Sequence, residues 1–130
     1  MRDNINYWLE LAADDIKTAK WLFEGGRLLH CGYFCHQSIE KAFKAAVADK
    51  TAEIPPKIHD LPRLANLAEI WIYLSNQQRE VIKKLEPLQI EARYPEYKDK
   101  INKTLTNEYC LDFIKGAEEL LCWIKRRLEK

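Results

Sequence analysis

The sequence predicts an all-α protein: an antiparallel bundle of about five helices, a four-helix up-and-down core plus one short helix. Three observations carry this. Glycine and proline are scarce, 4 and 5 in 130 residues, while the strong helix formers Leu, Ala, Glu and Lys are frequent. Apolar residues recur at steps of three and four, the period of one helix face. A chain of 130 residues, 47% hydrophobic and 32% charged, suits a single domain over 1–130 with one core. No run of roughly 18 apolar residues occurs, so no bilayer span and no membrane partner is expected. The first residues form no continuous apolar stretch and read as no signal peptide, which points to the cytoplasm. Lys plus Arg number 21 against 20 Asp plus Glu, a net charge of +1. A dedicated duplex-DNA binder carries a larger basic excess.

The first helix is expected from about Asp3 to Glu24, capped by Asp3 and ended by Gly25 and Gly26. Ile5, Leu9, Ala12, Ile16, Ala19 and Phe23 share one face. Trp21 points almost the opposite way, so a partner helix is expected to cover it. The second helix, about Leu29 to Asp49, carries two stripes. One holds Cys31, Phe34, Cys35, Ser38, Ala42, Ala45 and Ala46, whose small members allow close approach. The other holds Tyr33, His36, Glu40, Phe43 and Val47, and Gln37, Lys41 and Lys44 fall between. Such a helix is either central in its bundle or shared with a second subunit.

Pro55 and Pro56 mark a loop. Asp60 before Leu61 and Pro62 reads as a helix start, and that third helix ends near Ile70 or Trp71. Ser75 and Gln78 match a capping box opening a fourth helix with Val81, Ile82, Leu85 and Leu88. Pro87 is expected to bend it or end its regular part. Pro95 biases Tyr94 away from helical angles, which makes the surrounding segment a loop. The last helix starts near Thr106 or Asn107. Its core face is Tyr109, Cys110, Phe113, Ala117, Leu120, Ile124 and Leu128, with acids early and bases late, matching the helix dipole.

Several residues could carry chemistry. Cys31, Cys35, Cys110 and Cys122 read as small buried core residues, reduced in a cytosolic setting, rather than as a metal site. His36 and Glu40 lie one turn apart and can hydrogen-bond. They read as a polar pair within a subunit interface, with acid–base chemistry as the competing reading. His59 stands at a helix start that favours anions, although Asp60 is expected to fill that place as the cap. Arg93 offers a guanidinium to phosphate, and Tyr94 and Tyr97 offer rings for base stacking. Lys41 and Lys44 read as solvated, Lys44 with a supporting role towards phosphate. No cofactor is expected.

The stretch YFCHQSIEKAFK, from Tyr33 to Lys44, resembles the second-helix signature of HEPN domains. There an aromatic and a His-Gln or Gln-Gln precede a small residue, then Glu-Lys and a further base. Ile58, His59, Asp60 and Leu61 resemble the family's His-Asp-Leu element, and Ala92 to Pro95 its Arg-Tyr-Pro loop before the final helix. The ordered set covers nearly the whole chain. The resemblance implies a helical bundle that forms a homodimer and is often encoded beside a minimal nucleotidyltransferase, as in toxin–antitoxin pairs. It also implies nucleotide binding in some members.

One branch of the family contains metal-independent ribonucleases, marked by an Arg, four to six residues, then His. Here the positions after Arg93 that should hold the His are Lys98, Asp99 and Lys100. The leading expectation is therefore a non-catalytic homodimeric partner of a nucleotidyltransferase that binds a nucleotide or RNA end around Arg93. The competing ones are a divergent ribonuclease built from His36 or His59 with Arg93, and a helical scaffold without ligand.

Overall fold

The computed structural model describes residues 2–91 and 105–129, with the side chains of Arg2, Ile90 and Glu91 left aside. Every regular element among them is helical: α1 (Arg2–Glu24), α2 (Leu28–Thr51), α3 (Leu61–Leu67), a 3-10 turn at Trp71–Tyr73, α4 (Asn76–Glu91) and α5 (Asn107–Leu128). None of these helices is long and apolar enough to cross a membrane.

Local chemistry sets most boundaries. α1 ends in a Schellman turn: Gly26, at φ +76°, donates to the Phe23 carbonyl, and Arg27 donates to that of Leu22. The same bonding ends α3, with Glu69 and Ile70 donating to Asn66 and Ala65. Here the left-handed position is held by Glu69 at φ +59°. Asp60 caps α3 by accepting the Arg63 N–H, and Thr106 caps α5 by accepting that of Tyr109. Ser75 and Gln78 form the expected reciprocal box, at 3.0 and 2.7 Å.

α2 touches all four other helices, which resolves its two faces: it is the central helix of a single chain. Along the α1 seam, Ala12, Ala19, Ala42 and Ala45 are buried and let the backbones approach. The Ser38 hydroxyl donates to the Ala12 carbonyl at 2.8 Å. Lys41 pairs with Asp15 across the same seam. Burial raises the Asp15 carboxyl above its ordinary value, against the pull of Lys41.

Four expectations are corrected. α4 runs through Pro87 to Glu91: Pro87 is exposed, and its missing N–H leaves one i−4 carbonyl unpaired without ending the helix. Tyr109 is 40% exposed rather than core. Cys122 is exposed, whereas Cys31, Cys35 and Cys110 are buried as expected. Lys44 is buried, because α1 covers that side of α2. Among the buried thiols, Cys31 is pushed up to about 12, its contact with Cys110 being outweighed by Cys35 and burial. Cys110 is raised as well, by Cys31 first and then by burial. The Arg93 loop falls within 92–104, outside the described residues.

Candidate functional site: a buried polar cluster

Three polar residues at four-residue spacing, His36, Glu40 and Lys44, stack along one side of α2. All three are buried, His36 completely. The Glu40 carboxylate is used at both oxygens. Oε2 accepts from Lys44 Nζ at 3.0 Å, and Oε1 lies 3.0 Å from His59 Nδ1, in the segment entering α3. A carboxylate accepts, so this contact puts a ring proton on Nδ1. The Lys44 ammonium also lies 5.6 Å from the centre of the Trp8 ring on α1. Its charge is thus compensated by Glu40 and by an aromatic face.

The cluster closes from α4. Glu86 Oε1 accepts the Leu61 N–H at 3.0 Å, satisfying a backbone donor that the start of a helix leaves free. The same oxygen stands 3.7 Å from His36 Nε2, while His36 Nδ1 stands 3.9 Å from Glu40 Oε1. Neither separation is a hydrogen bond, and neither ring nitrogen has a hydrogen-bond partner. Burial works to raise the Glu86 carboxyl, but the His36 ring and the Leu61 N–H outweigh it and hold the group below its ordinary value.

Chemically, this is first a clasp. One carboxylate ties α2 to the segment entering α3, and another ties α4 to the first turn of α3. An acid–base catalyst must come within hydrogen-bond reach of its substrate, and His36, wholly enclosed, reaches none in this arrangement. His59 is the member with access, its side chain 46% exposed. Among the described residues no three His, Cys, Asp or Glu are gathered so as to hold a metal ion.

The residues singled out in the sequence differ in where the structure places them. His36, Glu40, Lys44 and His59 come together, although Glu40 turns its oxygens to Lys44 and His59 and not to His36. Phe43 and Val47 are buried within the chain. Tyr33 is half-buried, its hydroxyl accepting from Gln37 Nε2 at 3.2 Å. Trp21 stays on the surface, 74% exposed. Arg93, Tyr94 and Tyr97 lie outside the described residues. Glu86 is the member the sequence reading missed. Its signal was present: it lies one turn from Ile82, so it sits at the edge of the α4 core stripe.

An all-helical bundle around one central helix, with a polar cluster linking α2, α3 and α4, defines the class. A family model for the HEPN domain matches residues 5–128, and the chain belongs to that family. The fold is also that of a crystal structure of an archaeal HEPN homologue. The match has a TM-score of 0.71 and 20% sequence identity, and covers 97% of this chain and 98% of the other. The sequence matches no curated protein.

Proposed function

We propose that this chain is a non-catalytic HEPN partner protein: a homodimer that associates with a minimal nucleotidyltransferase in a toxin–antitoxin-like module and binds a nucleotide at Arg93. The observation that carries the non-catalytic part is the sequence after Arg93. Lys98, Asp99 and Lys100 occupy the places where the ribonuclease branch has its histidine. The enclosure of His36 and the engagement of His59 Nδ1 by Glu40 support the same reading. Arg93 presents a planar fork suited to phosphate, with Tyr94 and Tyr97 close by in sequence to stack on a base.

Pure protein incubated with mixed RNA, with and without a chelator, is expected to leave the RNA intact. Metal-independent cleavage abolished by Arg93→Ala would replace this reading with that of a divergent ribonuclease. In calorimetric titration with ATP, Arg93→Ala is expected to weaken binding by about tenfold or more, a loss of roughly 1.5–3 kcal/mol for a charged hydrogen bond. Equal affinities, or no binding by either protein, would remove the nucleotide from the proposal. Co-purification with the product of a neighbouring nucleotidyltransferase gene tests the partnership.

A further inference from the structure

A hollow of about 440 Å³ lies where α4 passes the start of α3 and the 3-10 turn. Its apolar side is Pro62, Trp71 and the buried Ile82, and its polar side is Arg79, Lys83 and Glu86. The three charged residues come from one face of α4, at steps of four and three. Sites for small molecules have this make-up, apolar walls with a few placed polar groups, and volumes of roughly 300–1,000 Å³.

Arg79 is held in place rather than trailing in solvent. Its Nη2 donates to the Trp71 carbonyl at 2.8 Å, and the guanidinium lies 5.1 Å from the centre of the Trp71 ring. Nε is enclosed and has no hydrogen-bond partner, which leaves Nη1 as the donor able to meet a ligand in the hollow. A guanidinium so poorly hydrated attracts an anion more strongly than an exposed arginine does. Glu86 is committed elsewhere: its Oε1 accepts the Leu61 N–H and faces His36. Glu80 stands on the ridge of α4, since it also lines the groove on the α5 side. The charges turned into the hollow are therefore Arg79 and Lys83 against Glu86, a balance of one positive charge.

We propose that this hollow binds a small organic monocarboxylate, its carboxylate on Arg79 Nη1 with Lys83 beside it and its apolar body against Trp71, Pro62 and Ile82. One net positive charge suits one negative charge, and the apolar wall suits a carbon skeleton. A nucleoside polyphosphate suits neither: its several charges exceed the one on offer, and Glu86 and Glu80 repel the excess. The inference does not rest on nucleotide binding at Arg93.

Benzoate and its neutral isostere benzamide are the probes, titrated into the full chain and read in its nitrogen-15 spectrum. The indole N–H signal of Trp71, identified by its loss in Trp71→Phe, is expected to move with benzoate at a Kd of about 1 mM or below. Benzamide should bind at least about tenfold more weakly, since it lacks the charge. The signals of Trp8, Trp21 and Trp123 should stay in place. Lys83 is exposed, so Lys83→Glu leaves the fold intact; it reverses the charge balance and should weaken benzoate about fivefold or more, with benzamide unaffected. Arg79→Gln should weaken benzoate by about tenfold or more, with helicity checked by circular dichroism; should that variant unfold, Lys83→Glu decides. No movement of the Trp71 signal at about 10 mM benzoate, equal affinity for the two probes, movement of all four indole signals together, or wild-type benzoate affinity in Lys83→Glu overturns the site.

Discussion

His59 and Glu40 stand nineteen residues apart in sequence and 3.0 Å apart in space, Nδ1 to Oε1. Because Glu40 spends its other oxygen on Lys44, one carboxylate decides whether a buried ammonium is compensated and where the segment entering α3 lies.

The first expected outcome follows from that sharing. Glu40→Leu leaves Lys44 buried without its carboxylate and should cost about 3–5 kcal/mol in urea unfolding, as breaking one side of a buried pair does. Glu40→Leu with Lys44→Leu should recover most of the loss. Equal destabilisation of the single and double variants would show that the pair is not coupled.

Glu86 sets a pH dependence whose sign is fixed by its shift. Its native carboxyl titrates below the ordinary value of 4.5. The stability it contributes is therefore complete above about pH 4.5 and is lost as pH falls through the lower native value. Glu86→Gln should lose less stability than wild type on acidification below pH 4.5. Asp15, raised by burial, acts in the opposite sense, so the comparison is between the two chains and not with a flat profile.

How much of this was legible in the sequence divides along local and non-local lines. Asp60 and Ser75 with Gln78 act on donors three residues away, and their cap roles could be read before any tertiary contact was known, as could the start of α5 near Thr106. Trp21 was placed on the outer face by rotation alone. Lys44 was misread because periodicity assigns a direction around the helix axis but not what covers it; α1 covers it, and Glu40 makes burial tolerable. Glu86 was missed because its partners, Leu61 and His36, lie on other elements. Pro87 was read as a bend in the helix or the end of its regular part, yet α4 runs on to Glu91, because an exposed site loses only one backbone bond.

Ser75→Ala removes the acceptor for the Gln78 N–H and should cost about 0.5–2 kcal/mol, seen as an earlier denaturation midpoint with unchanged slope. Gln78→Ala, which removes the acceptor for the Ser75 N–H, should shift it the same way. Midpoints equal to wild type would show that water replaces both bonds at no cost.

Gly116 offers a change of sign. A Cβ there would meet Val81 Cγ1 at 2.9 Å and Cγ2 at 3.1 Å, and Val is stiff about χ1. Gly116→Ala should destabilise by about 1–3 kcal/mol through overpacking, in spite of the helix preference for Ala. In a Val81→Ala background the same substitution should stabilise by roughly 0.5–1 kcal/mol. Destabilisation in both backgrounds would rule out Val81 as the cause.

The distribution of the four thiols makes the chain its own reporter of opening. Cys122 lies at the surface, whereas Cys31, Cys35 and Cys110 are enclosed along the seam of α2 and α5. The thiolate is the species that attacks a thiol reagent, and the raised values of Cys31 and Cys110 keep that species rare even when a reagent arrives. A native molecule should therefore show one fast-reacting sulfur. The other three should become reactive together, at a rate that measures how often the two helices part.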